Sequence, residues 1–173
     1  MERKHLIHTI APVFNQDSKV LLLGTFPSPK SREVGFYYSH PRSRFWTIIA
    51  DLCSCDIPIT KDEKIQFLLT HKIALWDVLQ SCSIQGADDT SIQEPVANPI
   101  HLLLQKTSMK AIFTTGSKAA VLYEKYCLSK TGIPALALPS TSPANCRMTY
   151  DDLKQVYALL KGVIYTKIYE APS

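Results

Sequence analysis

Short apolar runs alternate with amphipathic segments along this chain, and the alternation constrains its fold more than any other feature of the sequence. The run Lys19–Phe26 is largely apolar and stops at Pro27, which is typical of a strand buried on both faces. Ile73–Trp76 is predicted as a second short buried strand, and Lys110–Thr115 and Pro134–Leu138 as a third and a fourth strand. Strands that alternate with helices build βαβ units, so the pattern predicts an α/β fold whose mainly parallel sheet is covered on both faces.

The segments between these runs carry helix signals. Thr60 and Glu63 form a capping box, and Asn98 before Pro99 is typical of a helix start with Asn98 as the N-cap. Further helices are predicted over Arg44–Cys53, from Ser117 to near Gly132, and after Thr149. The remaining segments are Pro27–Ser43, a predicted long loop, and Gln85–Glu94, which is polar and rich in turn-forming residues.

The length and composition indicate one folded domain. The 173 residues fit a single domain over residues 1–173, and 46% apolar residues with a formal net charge of +4 exclude a disordered chain. A membrane-spanning helix needs about 20 apolar residues in a row, and no run approaches that length. The charged N-terminus is not followed by the apolar region of a signal peptide, so a cytoplasmic protein is predicted.

The cysteines are spaced irregularly along the chain, at Cys53, Cys55, Cys82, Cys127 and Cys146. Only Cys53 and Cys55 are close in sequence, and no CxxC pair or Cys/His cluster completes a zinc or iron–sulfur pattern. We therefore predict reduced and mostly buried thiols, with no metal and no cofactor.

Two long segments, Gly24–Trp46 and Leu138–Cys146, follow predicted strands at the end where open parallel sheets bind ligands. The first interleaves basic with aromatic residues, a pattern that can hold phosphates and stack bases or can be a solvated loop beside a packed helix. The second is rich in proline and hydroxyl groups, so it can contact phosphates or simply connect a strand to a helix. Neither has the glycine pattern of a P-loop or a Rossmann fold.

The two segments resemble the uracil-DNA glycosylase superfamily in the order of their motifs. Gly24–Trp46 contains Gly-Thr-Phe-Pro, Tyr-Tyr, His-Pro-Arg and Phe-Trp, and Leu138–Asn145 reads Leu-Pro-Ser-Thr-Ser-Pro-Ala-Asn. Ile73–Leu79 and Asp89–Ile92 are similar too, so the resemblance extends over about residues 19–160. It is closest to the DNA-deoxyinosine (hypoxanthine) glycosylase family, and the mismatch-specific uracil/thymine-DNA glycosylases are similar.

The resemblance implies a three-layer α/β/α sandwich with a short, mainly parallel central sheet. It implies a monofunctional DNA glycosylase of base-excision repair, which flips a deaminated base out of double-stranded DNA and hydrolyses its N-glycosidic bond. Hypoxanthine is the favoured base and uracil the second. The expected protein is a monomer that needs no metal or cofactor and binds damaged DNA but no membrane.

The resemblance also assigns roles by position, and Tyr38 is similar to the aromatic residue on which the flipped base stacks. The residues implied in substrate binding are Gly24, Thr25, Pro27, Ser28, Tyr38 and Leu138. Those implied in DNA binding are Lys30, Arg42, Arg44, Ser140, Thr141, Ser142 and Asn145. Those at catalytic positions are Ser43, Phe26 and His40, of which His40 is expected to shape the pocket.

At three positions the chain differs from related branches. Phe26 stands where other branches have a water-orienting carboxylate or Asn, and Leu138 stands where they have His or Asn. Ser43 stands where the deoxyinosine family has an Asn after His-Pro-Arg. Cleavage through an oxocarbenium-like sugar needs no strong base, so a positioned water and charge stabilisation can supply most of the catalysis.

Two other functions remain open from the sequence. The same differences fit a DNA-binding module that has lost catalysis, and the sheet also fits a small-molecule hydrolase, which would bind no DNA. Two acidic residues lie near predicted strand ends or loops: Asp77 is predicted to cap a helix and Asp89 to tether its loop, although either could orient water.

Overall fold

The structure is a computed structural model that describes residues 2–165, and its strands form two sheets. In chain order the strands are β1 (Arg3–Ile7), β2 (Val20–Gly24), β3 (Ile73–Asp77), β4 (Leu79–Gln85), β5 (Asp88–Ala97), β6 (Ala111–Thr115) and β7 (Ala135–Leu138). One sheet is parallel, in the order β3-β2-β6-β7, and the other is antiparallel, in the order β1-β4-β5. Met1 and residues 166–173, which the predicted domain includes, lie outside the described residues.

The helices follow the predicted order, with one addition inside the segment that the sequence indicated as a loop, and the last two predicted helices are each divided into two. They are α1 (Pro29–Val34), α2 (Phe45–Leu52), α3 (Lys61–Thr70), α4 (Ile100–Leu104), α5 (Ser117–Tyr126), α6 (Leu128–Thr131), α7 (Tyr150–Tyr157) and α8 (Leu159–Ile164). The capping box of Thr60 with Glu63 is confirmed, and Thr149 with Asp152 forms a second one. The unpredicted helix α1 starts at Pro29 because Ser28 caps it.

The predicted N-cap at Asn98 is wrong, and the position belongs to Pro99. The Asn98 side-chain amide instead donates hydrogen bonds to the carbonyl oxygens of Asp77 and Leu79, at 2.9 and 3.1 Å. Asn98 is 6% exposed, so its amide satisfies buried carbonyls of the β3–β4 connection rather than the helix terminus.

The central strand β2 separates two hydrophobic cores. Val20 and Leu22 point into one core with helices α2, α7 and α8, whereas Leu21 and Leu23 point into the other with α4, α5 and strand β4. Every residue of β2 is buried, which explains its continuous apolar pattern. The predicted α/β fold, with its parallel sheet covered on both faces, is confirmed.

The antiparallel sheet was not expected, because the sequence indicated only a polar, turn-rich segment over Gln85–Glu94. In the structure this segment lies in the β4–β5 hairpin. Its pairing with β4 is interrupted by register shifts, and β5 alternates exposed with partly buried residues. An edge strand with this irregular, mostly polar surface lacks the apolar alternation by which strands are recognised.

The cysteine prediction is correct in part. Cys82 and Cys127 are buried, and burial raises the pKa of each thiol to about 11. Cys55 and Cys146 are exposed, so the prediction of mostly buried thiols is wrong for this pair. All five cysteines are free. Across residues 2–165, every helix is too short or too polar to cross a membrane.

The two-faced burial of β2 predicts a large stability effect at Leu22, which is 0% exposed. Leu22→Ala should lower the free energy of unfolding by about 2–5 kcal/mol, because it removes buried methyl groups and leaves a cavity. Leu136→Ala is the matched control, since Leu136 lies in the same sheet but is 58% exposed, and it should change the free energy by less than about 1 kcal/mol. Urea denaturation measures both, and equal losses would contradict the assignment of the core.

Candidate functional site

A cleft of about 770 Å³ opens at the edge where the parallel strands end. The strand register produces this edge, because Gly24 at the end of β2 lies opposite Asp77 at the end of β3, and Thr115 lies opposite Leu138. The lining residues of the first long segment are Gly24, Thr25, Phe26, Pro27, Ser28, Pro29, Lys30, Ser31, Glu33, Tyr37, Tyr38, His40, Pro41 and Ser43. The remaining lining residues are Asp77, Ile84, Gly86, Ala87, Asp89, Thr115, Ser140, Thr141, Ser142, Pro143 and Ala144.

Tyr38 forms an aromatic wall of this cleft. Its ring stacks on Phe45 at a centroid distance of 3.8 Å and an interplanar angle of 10°, and its hydroxyl lies 2.9 Å from that of Thr115. The backbone of Tyr38 has a φ of 53°, an uncommon conformation for a residue other than glycine. Tyr37 is 2% exposed, and its hydroxyl donates to the Ala11 carbonyl oxygen. Tyr38 therefore forms part of the cleft wall, whereas Tyr37 belongs to the core and reaches the cleft lining from there.

Gly24 makes room for a carboxylate at the floor of the cleft. A Cβ atom on Gly24 would lie 2.5 Å from Oδ1 of Asp77, closer than any real contact. It would also lie 3.5 Å from the Tyr38 hydroxyl and 3.7 Å from the Thr115 hydroxyl. Three polar side-chain groups thus converge on the place where Gly24 has no side chain.

The side chain of His8 contacts the carboxylate of Asp77. The imidazole Nε2 lies 2.8 Å from Oδ2 of Asp77, and the two side chains are 3% and 7% exposed. The helix-cap role predicted for Asp77 is wrong, because the residue ends strand β3 and pairs with this histidine. His8 follows β1, so the antiparallel sheet contributes a residue next to the cleft.

The β4–β5 hairpin forms another wall and brings a second carboxylate, Asp89. Burial raises the pKa of the Asp89 carboxyl, a hydrogen bond with the Thr25 side chain opposes that shift, and the charge of Asp77 adds to it. The contact with Thr25 agrees with the predicted role of Asp89 as a tether of its loop. Asp77 and Asp89 therefore lie in different surroundings within the same cleft.

Arg44 organises the loop after β7. Its guanidinium donates hydrogen bonds to the carbonyl oxygens of Met148, Ser142 and Asn145, at 2.7, 3.1 and 2.8 Å. The Asn145 side-chain amide donates to the Ser140 carbonyl oxygen at 2.9 Å. Arg44 and Asn145, both expected to bind DNA, are thus occupied in holding the loop and lie outside the cleft lining.

The other DNA-binding candidates have different positions. Lys30 lines the cleft with its ammonium group 3.4 Å from Glu33, and Arg42 is exposed outside the lining. Ser140, Thr141 and Ser142 all line the cleft. Thr141 is 2% exposed, whereas Ser142 is exposed to solvent. The hydroxyl-rich loop therefore has both a buried support and an accessible edge.

The candidates at catalytic positions all line the cleft. Phe26 is 9% exposed and meets the His8 ring edge-on at 6.0 Å, while the Ser43 hydroxyl accepts a long hydrogen bond of 3.4 Å from the Phe45 N–H. Nδ1 of His40 accepts from the Arg42 N–H at 3.1 Å, so this histidine shapes the turn.

Leu138 differs from the other substrate-binding candidates, because it is 2% exposed, packs in the core and lies outside the cleft lining.

Sequence reasoning missed His8, Thr115 and, apart from Asp89, the lining residues of the hairpin. Thr115 and Asp77 end predicted strands, so the position of ligand sites in parallel sheets was a usable signal for both. No such signal marks His8, which reaches Asp77 across 69 positions of sequence. Within residues 2–165, no three His, Cys, Asp or Glu side chains are grouped as a metal site.

Comparison with known proteins identifies similar proteins over most of the chain. The family model of the uracil DNA glycosylase superfamily matches residues 11–161. A protein of Methanosarcina barkeri described as a hypoxanthine DNA glycosylase is 30% identical over 138 residues, which are 79% of this chain and 86% of the relative. One of Methanosarcina acetivorans with the same description is 27% identical over 138 residues, which are 79% of this chain and 87% of the relative.

A solved structure supports the same relationship. It is a solution NMR structure of a candidate uracil DNA glycosylase from Methanosarcina acetivorans, which is 26% identical and has a TM-score of 0.74. The match covers 89% of this chain and 98% of that chain, so it confirms the predicted three-layer fold.

The environment of Asp89 predicts a pH-dependent effect on stability. Because the pKa of Asp89 is raised in the folded protein, its ionisation costs stability as the pH rises above the unfolded value of about 3.9. Asp89→Asn should therefore raise the free energy of unfolding at about pH 7 and have little effect at about pH 3. Urea denaturation at the two pH values measures the difference.

Asp88→Asn is the matched control. Hydrogen bonds from the Thr90 side chain and backbone lower the pKa of Asp88, so its ionised form stabilises the fold. This substitution should lower the free energy of unfolding at about pH 7, and the loss should shrink as the pH falls below the unfolded value of about 3.9. Changes of the same sign for both variants at neutral pH would contradict the assigned environments.

Proposed function

The chain belongs to the uracil DNA glycosylase superfamily, and on this basis we propose that it removes hypoxanthine, with uracil as second base, from double-stranded DNA. The named relatives support hypoxanthine as the preferred base. The observation that carries the proposal is the Tyr38 ring, which lines the cleft and is backed by Phe45 at 3.8 Å. A rigid aromatic surface in a cleft is what an extruded base needs for stacking.

The cleft has the polar groups that such a base requires. Asp77 offers an acceptor at the floor of the cleft. Thr25 and Phe26, whose backbone amides are donors, also line the cleft. We assign Gly24, Thr25, Pro27, Ser28 and Tyr38 to the base and its sugar, in agreement with their place in the lining. This arrangement combines an apolar stacking surface with a few directional polar groups, as is typical of ligand pockets.

The proposed reaction hydrolyses the bond between C1′ of the sugar and N9 of hypoxanthine. The bonding electron pair leaves with the base, which takes up a proton, and water adds its oxygen to C1′ and loses a proton. Phe26 cannot activate this water, so we assign its positioning to Ser43, which lines the cleft.

The loop after β7 is the proposed contact with the DNA backbone. Ser140 and Ser142 offer hydroxyl groups at the edge of the cleft, and Lys30 and Arg42 add positive charge near it. Arg44 supports this contact indirectly, because its hydrogen bonds to the loop carbonyls hold the segment in place. A monomeric state and a cytoplasmic location remain predictions.

One observation favours a second candidate function, a DNA-binding module with weak or no catalysis. The position of Phe26 carries an aromatic ring in contact with His8 instead of a water-orienting group, and Leu138 lies in the core. Such a module would bind damaged DNA in a salt-sensitive way without forming an abasic site. Product formation therefore separates the two functions.

The proposed stacking role predicts a specific loss at Tyr38. Tyr38→Ala should slow excision of hypoxanthine by about 10- to 100-fold, because stacking on an aromatic side chain contributes about 1–3 kcal/mol per base. Tyr38→Phe is the matched control, since it keeps the ring and loses only the hydroxyl contact with Thr115, and it should stay within about fivefold of the parent.

The assay uses labelled duplexes with a single hypoxanthine, uracil, xanthine or G·T site. Alkali cleaves any abasic product, and the strands are separated on a gel. No cleavage of any duplex by the parent protein, with salt-sensitive DNA binding retained, would overturn the glycosylase proposal in favour of the binding module.

Ser43→Asn tests the assignment of the water-positioning residue. An Asn side chain offers a longer reach and a carbonyl oxygen, so the variant should excise hypoxanthine faster, by up to about 100-fold. Single-turnover rates on the hypoxanthine duplex measure the change, with Ser39→Asn as a control that also adds an amide near the cleft but outside its lining. A variant no faster than the parent would show that Ser43 does not limit the reaction.

A further inference from the structure

His8 is a buried titratable residue that the family comparison does not include. It precedes the matched region, which starts at residue 11, and it reaches the cleft because β1 pairs with β4 in the antiparallel sheet. The backbone N–H of His8 donates to the Gln80 carbonyl oxygen at 2.7 Å, which fixes its place beside the end of β3. Its ring packs against Phe26 and Tyr37 at centroid distances of 6.0 and 6.1 Å.

The hydrogen bonds of His8 determine which ring nitrogen carries the proton. The backbone N–H of Ile10 donates to Nδ1 at 3.3 Å, so Nδ1 presents its lone pair. The proton then lies on Nε2, which donates to Oδ2 of Asp77 at 2.8 Å. The imidazole therefore acts as a fixed donor to one oxygen of the carboxylate.

The other oxygen of Asp77 points towards the cleft. Oδ1 lies 2.5 Å from the position of a Cβ atom on Gly24, and Asp77 is part of the cleft lining. Among residues 2–165, no side chain or backbone group donates a hydrogen bond to Oδ1. A carboxylate oxygen that faces the cleft without a donor is an acceptor that a ligand can satisfy.

We propose that His8 is a positioning residue and Asp77 a specificity-determining residue, which together select bases that present an imino N–H at the cleft floor. The inference rests on the proposed base-excision function and extends it to base selection. Hypoxanthine carries a hydrogen on N1, which Oδ1 accepts. Adenine has a lone pair on N1, and that lone pair would face the carboxylate oxygen without a hydrogen between them.

The fixed orientation of Asp77 makes this selection directional. A carboxylate only accepts hydrogen bonds, whereas an amide both accepts and donates. In Asp77→Asn the donor Nε2–H of His8 would engage the amide oxygen and turn the NH₂ group towards the cleft. The variant should therefore favour a base with a lone pair at this position, which reverses the selection without altering the shape of the side chain.

The test compares hypoxanthine with purine, which has the same ring system but lacks N1–H and O6. Fluorescence anisotropy measures the Kd of each duplex, and single-turnover assays measure excision, for the parent and each variant. The ratio of the two bases should fall by about 10- to 100-fold in Asp77→Asn, as expected for loss of a hydrogen bond to a charged group. Purine lacks both N1–H and O6, so the change of the ratio reports on the polar edge of the base that faces Asp77.

Variants of His8 separate a positioning role from a merely structural one. His8→Phe keeps a ring against Phe26 but removes the donor, and it should lower the ratio by about tenfold. His8→Gln restores an N–H at a similar reach and should recover most of the parent ratio. His5→Gln is the matched control, because His5 lies on β1 with an exposed side chain, and it should leave the ratio unchanged.

The outcomes for the inference and for the proposed function are distinguishable. An altered Kd ratio without excision by any protein would overturn the glycosylase proposal but support base selection by Asp77. Excision of hypoxanthine with the same ratio in the parent, Asp77→Asn and His8→Phe would overturn the inference alone. Equal losses in His8→Phe and His8→Gln would show that a restored N–H donor does not recover the ratio, and would likewise overturn the positioning role of His8.

Discussion

The register between the parallel strands β2 and β3 places Gly24 beside Asp77, and the cleft depends on this pairing. The carboxylate fits there only because Gly24 has no Cβ, since such an atom would lie 2.5 Å from Oδ1. A shift of one residue would replace this glycine by a buried Leu23 or by Thr25 and would turn the side chains of the strand to opposite faces. The same register that builds the two cores therefore also opens the space for a ligand.

Polar side chains around the cleft mostly serve to order its walls. Arg44 uses its guanidinium on three carbonyl oxygens of the loop after β7, and Asn145 bonds within that loop. Ser28 caps the short helix α1, which turns the chain back towards Tyr38. Loops have few backbone partners of their own, so these contacts supply the rigidity that a binding edge needs. The positive charge of Arg44 is thereby used for internal order.

The antiparallel sheet has a dual role in this fold. Its strand β4 contributes Cys82 and Ile84 to the core on one face of the parallel sheet. The antiparallel sheet also brings His8 next to Asp77, and its β4–β5 hairpin brings Asp89 to the cleft. Apolar packing thus determines where these polar groups lie, and the environment of Asp77 depends on two sheets rather than one.

The sequence by itself determined the parallel sheet and much of the first cleft segment. The predicted runs Lys19–Phe26 and Lys110–Thr115 contain the buried strands β2 and β6, and their apolar pattern is a local property of the chain. The same holds for the capping box at Thr60 and for the two long segments at the strand ends. Tyr38 could be placed near the cleft because a motif in sequence order identifies it.

Only the tertiary structure decided how these segments meet. Leu138, like Tyr38, was assigned to substrate binding from its place in a motif, but it packs in the core. Arg44 supports a loop about a hundred positions further along the chain. His8 lies 69 positions from Asp77 and carries no pattern that indicates their contact. Strand alternation and capping depend on neighbours within a few residues, whereas a buried polar pair depends on how separate sheets pack. That packing sets which oxygen of Asp77 faces the cleft.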